Sequence, residues 1–130
     1  MSRAQSFSLV LVAAVLLSGC VVYSGGSRGD GREASWQQLE RENREHIARL
    51  TPGQEVEAVR RRMGTPAFTE SFFQDQRHYK VLFYRTHRAR ADGMTTRDET
   101  TPLIFAEGLL ESWGEEAWVR LTGRPLADFN

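Results

Sequence analysis

Residues 78–86, HYKVLFYRT, constrain the fold more than any other stretch of this chain. Val81 and Phe83 alternate with Leu82 and Tyr84, so an extended backbone here is apolar on both faces. Such a strand is stable only where both faces are covered, which predicts a central position in a sheet. The neighbouring segments supply its partners. Phe68, Glu70 and Phe72 alternate with Thr69, Ser71 and Phe73, and Gln74-Asp75-Gln76 follows as a turn signal. Asp98–Ala106 reads as a further strand, in which Pro102 requires a bulge or an edge-facing position because it has no amide hydrogen. Glu107-Gly108 marks a hairpin, and Leu109–Trp113 reads as the last strand.

Upstream of the strands the pattern is helical. Ser35 and Gln38 have capping-box spacing ahead of Trp36, Leu39, Ile47 and Leu50, which predicts a helix over 36–48 with Asn43 interrupting its apolar face. A second helix starts at Thr51-Pro52, with Thr51 as N-cap, or after Gly53. Val56, Val59 and Met63 form its buried stripe, Gly64 closes it and Pro66 blocks its continuation. Residues 115–121 have the pattern of a short C-terminal helix through Ala117, Trp118 and Leu121, and 124–130 read as a frayed tail. The predicted class is α+β: two N-terminal helices on one face of a three- to four-stranded antiparallel sheet. The other face would leave aromatic side chains exposed, or have them covered by Trp118 and the C-terminal segment.

The first twenty residues are of a different kind. Arg3 is the only charged residue before an apolar run, Leu9–Leu17, of nine residues. A membrane-spanning helix needs roughly 20, so the run is a signal-peptide core rather than a span. It closes on Leu17-Ser18-Gly19-Cys20, and Cys20 is the only cysteine in the chain. This pattern resembles a bacterial lipobox. It implies cleavage between Gly19 and Cys20, a diacylglycerol on the Cys20 sulfur and an N-acyl chain such as palmitate on the new amino terminus. The plainer alternative is an ordinary secretory signal with an incidental cysteine. Lipid of that amount anchors a protein to a membrane without spanning it. Val21, rather than Asp, follows Cys20, which by resemblance to enterobacterial sorting implies the outer membrane. Residues 20–35 hold four Gly and three Ser without hydrophobic period and read as a flexible tether of roughly 20 Å. The expected organisation is signal peptide 1–19, lipidated Cys and tether 20–35, domain 36–123 and tail 124–130.

Gly53, Val59 and the run Met63-Gly64-Thr65-Pro66 resemble the signature of the SmpA/OmlA (BamE-like) lipoproteins: a Gly, an apolar residue six later, and a GTP turn closing the second helix. Phe105–Leu110 also fits that family's last hairpin. The resemblance covers about residues 50–114 plus the lipobox. It implies two helices packed on a three-stranded antiparallel meander and a structural role for those six residues. Segments 81–86 and 92–105 resemble, more closely, an uncharacterised domain-of-unknown-function subgroup of short proteobacterial lipoproteins. Gln54-Glu55, where the family has Met-Thr or Met-Ser, and the extension 115–130 depart from the BamE-like pattern.

Charge and composition bound the function. Seventeen basic and seventeen acidic residues cancel, whereas nucleic-acid binders carry a basic surplus. One cysteine allows neither an internal disulfide nor a cysteine-based zinc site. His78 and His87 lie about 30 Å apart along a strand at ~3.3 Å per residue and cannot share a metal within it; with His46 they read as surface histidines. Asp92, Asp98 and Glu99 lack calcium-loop spacing, and no serine-nucleophile motif is present. Arg60-Arg61-Arg62 sits where it complements a helix C-terminus, or, on a sharper reading, where it meets lipid headgroups. The expected function is that of a non-enzymatic envelope lipoprotein, held to the membrane by its lipid, without metal or other cofactor, whose domain binds another envelope protein. The alternatives are a periplasmic ligand-binding or weakly catalytic domain in which Arg85, Asp98 and Glu99 converge, or an enzyme inhibitor.

Overall fold

A computed structural model of the chain describes residues 28–130. The expected signal peptide, Gly19, Cys20 and the first half of the expected tether lie outside the described residues. Two helices, α1 (Arg28–Ile47) and α2 (Val56–Met63), precede four strands: β1 (Phe68–Gln74), β2 (Arg77–Arg85), β3 (Thr100–Ala106) and β4 (Leu109–Trp113). A third helix, α3 (Glu115–Thr122), follows the sheet, so the helices do not all come first. Short 3-10 turns span Arg97–Glu99 and Leu126–Phe129. The class is α+β.

The strands form one antiparallel meander in the order β1-β2-β3-β4. β2 is internal, and its two faces feed two separate cores. Leu82 and Tyr84 pack with Leu103, Phe105 and Leu110 beneath Leu50, Val59 and Met63. Val81 and Phe83 pack with Ile104 beneath Ala117, Trp118 and Leu126 on the other side. The sheet is thus covered on both faces, not one. Trp118 meets Phe83 edge-on at 5.3 Å, and Phe129 meets Trp118 edge-on at 5.2 Å. The segment 124–130 is therefore a docked turn with Leu126 buried, not a frayed tail. Burying Leu126 and capping the indole removes apolar area from water at about 25 cal/mol per Å², which holds down a short polar-looking terminus.

Local chemistry explains the turns. Asp75 and Gln76 both have positive φ, as do Glu107 and Gly108, the geometry of two-residue hairpins whose twist matches the strands. Pro102 lies in β3 between two neighbours, and its carbonyl accepts the Gly114 N–H at 2.9 Å. Amide and carbonyl of one antiparallel residue point to the same side. The missing N–H of Pro102 therefore faces the end of β4, and the β2–β3 ladder loses nothing. The bulge lies further along, between Ile104 and Phe105.

Three expectations about where elements begin change. α1 is already helical at Arg28, the first described residue, so residues 28–35 of the expected tether are helix and Ser35 lies inside it. Ala, Arg and Glu are good helix formers, and extending a helix already nucleated downstream is inexpensive. Thr51 does not cap α2: its N–H donates to the Gln54 side chain, and the helix starts at Val56 after an uncapped Glu55. Residues 53–56 run instead along the outer edge of β4, with Gly53 N–H on Leu110 O (2.7 Å), Leu110 N–H on Gln54 O (2.8 Å) and Val56 N–H on Gly108 O (3.1 Å). An unpaired sheet edge is a better partner for these backbone groups than another helical turn. Finally, Asp98 and Glu99 belong to a 3-10 turn, and β3 starts at Thr100.

Candidate functional site

The six motif residues gather where α2 is fastened to the sheet. Gly53 has φ +88° and begins the pairing with β4. Val59 and Met63 are buried in the first core. Gly64, at φ +80° and ψ −157°, donates its N–H to Arg60 O and accepts the Tyr84 hydroxyl at 2.9 Å. Burial, with Glu57 adding to it and Arg60 opposing it, raises the Tyr84 pKa, so the hydroxyl stays a donor. Thr65 is exposed and Pro66 half-buried, and they carry the chain into β1. These residues close a helix and fasten it to the sheet.

The polar residues that the fold does bring together surround Arg85, at the end of β2. Its side chain is only 3% exposed. Nε donates to Glu40 Oε1 at 2.7 Å, and Nη1 donates to Glu99 Oε2 (3.0 Å), Met94 O (3.0 Å) and Thr95 Oγ1 (2.8 Å). The guanidinium lies 4.5 Å from the centre of the Trp36 ring, within cation–π range. Nη2 is buried without a hydrogen-bond partner among the described residues. The Asn43 amide donates to Arg85 O at 2.8 Å, and the Arg44 guanidinium donates to Thr86 O.

Glu99 is the second centre. Its Oε1 accepts the N–H groups of Ala89 (2.9 Å) and Arg90 (3.0 Å), and its Oε2 accepts Thr96 N–H and Arg85. Burial alone would raise its pKa. The three amides and the Arg85 charge outweigh burial and hold the carboxyl below its usual range. A carboxylate 1% exposed with both oxygens engaged is a poor general base. Asp98 turns the other way. The Thr96 hydroxyl donates to it, and that bond, against a smaller effect of burial, lowers its pKa. Arg85 and Glu99 thus meet, Asp98 does not join them, and the pair faces protein rather than a pocket. Two open depressions lie elsewhere, along α3: one of about 460 Å³ lined by Glu115, Glu116, Val119 and Arg120, and one of about 260 Å³ between that helix and β4.

Glu40, Asn43 and Trp36 are the cluster members that the apolar pattern of α1 hides. At 100° per residue, positions 36, 40, 43 and 47 fall on one stripe, whereas 39 lies off it. The structure buries Glu40 and Asn43 and leaves Leu39 43% exposed. Asn43 is therefore the contact, not an interruption. The signal was available as a complementary charge, Glu40 on the stripe and Arg85 at the end of an apolar strand.

The histidines are scattered. His78 Nε2 is paired with Ser71 Oγ, His87 is exposed beside Thr86, and His46 has a buried Nδ1 without a partner among the described residues. No cluster of three or more His, Cys, Asp or Glu residues suited to a metal ion occurs among the described residues. No described helix is long and apolar enough to cross a membrane.

A family model described as "Protein of unknown function (DUF3192)" matches residues 18–120. The chain belongs to the DUF3192 family. The DUF3192 match starts two residues before Cys20, takes in α1, α2 and all four strands, and ends within α3. The docked turn Leu126–Phe129 lies beyond it. No curated protein and no solved structure matches the chain.

Proposed function

We propose that this chain is an envelope lipoprotein, anchored by lipid on Cys20, whose domain works by binding another protein and not by catalysis. The observation that carries the reading is the apolar run Leu9–Leu17 ending in Leu17-Ser18-Gly19-Cys20 with the chain's single cysteine. The surface supports a protein partner. β1 is an edge strand with no neighbour on its outer side among the described residues, and Phe73 on it is 78% exposed. Open edges of this kind accept an added strand. The geometry of Arg85, Asp98 and Glu99 gives no support to the alternative of a ligand pocket.

The BamE-like resemblance, carried by Gly53 and Met63–Pro66, favours a role in assembly at the periplasmic side of the outer membrane. The α3 layer and the fourth strand stand apart from that pattern. Crosslinked pull-down of the lipidated protein, with mass spectrometry of bait and prey, tests both parts. Acylated Cys20 with an envelope protein as prey is the expected result. Unacylated bait overturns the anchor. Full complementation of a deletion strain by a Cys20→Ser variant overturns the need for it.

A further inference from the structure

The described fold has two ends of different charge. α1 and β2 place one end at Arg85, Thr86 and the loop that follows. α2 runs toward the same end, since Gly64, just past its last turn, accepts the Tyr84 hydroxyl. Arg60, Arg61 and Arg62 are all exposed there, as are Arg88 and Arg90 of the loop, and Met94 on that loop is 63% exposed. The acids of the loop are Asp92, Asp98 and Glu99, of which Glu99 is held by Arg85, and Glu57 pairs with Arg60 at 3.5 Å, so the exposed arginines of α2 and the loop outnumber their exposed acids. The opposite end carries the two hairpin tips, with Asp75 and Glu107 exposed and Glu55 beside the second.

The course of α1 gives the basic end a direction. Trp36 lies over Arg85, and the helix continues back to Arg28, about 12 Å further at 1.5 Å per residue. Seven residues, 21–27, separate that point from Cys20, so the two lie at most about 25 Å apart. Residues 28–35 of the expected tether are thus part of a helix that projects beyond Arg85. An α1 inclined to the membrane would bring the basic end to the headgroups and leave the acidic tips pointing away.

We propose that this end, Arg60–Arg62 with Arg88, Arg90 and the Met94 side chain, is a second membrane contact that binds anionic phospholipid headgroups and orients the domain. It rests on the lipid-anchor reading. Charge complementarity supplies the attraction, since each arginine near an anionic surface strengthens association about fivefold. Met94 supplies an apolar tip that can enter the headgroup layer.

The test uses the lipidated protein, in which Cys20 sulfur is blocked and a new cysteine is the sole free thiol. Met94→Cys carries an environment-sensitive dye, Gln76→Cys at the far hairpin is the control, and the vesicles are phosphatidylcholine with or without phosphatidylglycerol. A blue shift at position 94 only, requiring phosphatidylglycerol, abolished by high salt and lost when Arg60, Arg61, Arg62 and Arg90 become Gln, is the expected result. Equal spectra in neutral and anionic vesicles, or equal shifts at 94 and 76, overturn the contact. A shift produced by inorganic phosphate without vesicles overturns it in favour of a simple anion site. Intact mass of the same sample reports acylation, so failure of the anchor is seen separately from failure of the contact.

Discussion

Arg85 is the residue on which the two halves of the chain meet. One guanidinium holds Glu40 of α1 and Glu99 of the loop, both desolvated. Removing one partner of a buried pair costs about 3–5 kcal/mol, because the remaining charge stays out of water. Arg85→Met should lower stability by roughly that amount in urea titration, and amide exchange should rise in α1 before the sheet. Glu99 adds a pH dependence. Its folded pKa is depressed, so its contribution is full above the unfolded value near ~4.3 and is lost as pH falls through the folded value. Stability should be level through neutral pH and drop in acid below about pH 4. Glu99→Gln should make that decline shallower without removing it, since Asp98 is lowered too. Unfolding midpoints across an acid series would check the slope.

At the scale of elements, backbone conformation decides more than side-chain contact. Gly64 occupies a region open almost only to glycine. An added Cβ would meet no atom within 4 Å there, so any cost of substitution is conformational. Gly64→Ala should therefore destabilise by about 1–3 kcal/mol, with the loss appearing in thermal unfolding and not in packing. The β1–β2 hairpin offers the converse. Gln76 holds φ +62° in a turn that favours Asp-Gly. Gln76→Gly should raise stability by roughly 1 kcal/mol, the usual cost of that region for an L side chain.

For the whole molecule, the covering of both sheet faces is the decisive fact. Trp118 and Leu126 close a core that the first two helices never touch. Deleting residues 124–130 should cost roughly 2–5 kcal/mol, since it removes one buried Leu and the aromatic neighbour of Trp118. A red shift of tryptophan emission in the shortened chain would register the exposed indole. An unchanged spectrum with unchanged stability would mean that the terminal turn does not hold the core.

The sequence by itself determined the central strand, both hairpins, the stop of α2 at Gly64 and the class of the fold. Each follows from short-range rules: two-residue alternation, turn chemistry and the tolerance of glycine for positive φ. The tertiary structure decided the rest. Whether 124–130 frays or docks depends on a tryptophan several residues upstream and a sheet face behind it. Whether 53–56 coils or pairs depends on an open edge of β4. Glu40 and Asn43 look solvated on α1 until the end of β2 brings Arg85 beneath them. Local propensity is read along the chain, but burial and pairing are set by what folds back from far away, and the charge of Glu40 shows that a partner is needed without fixing where Arg85 will meet it.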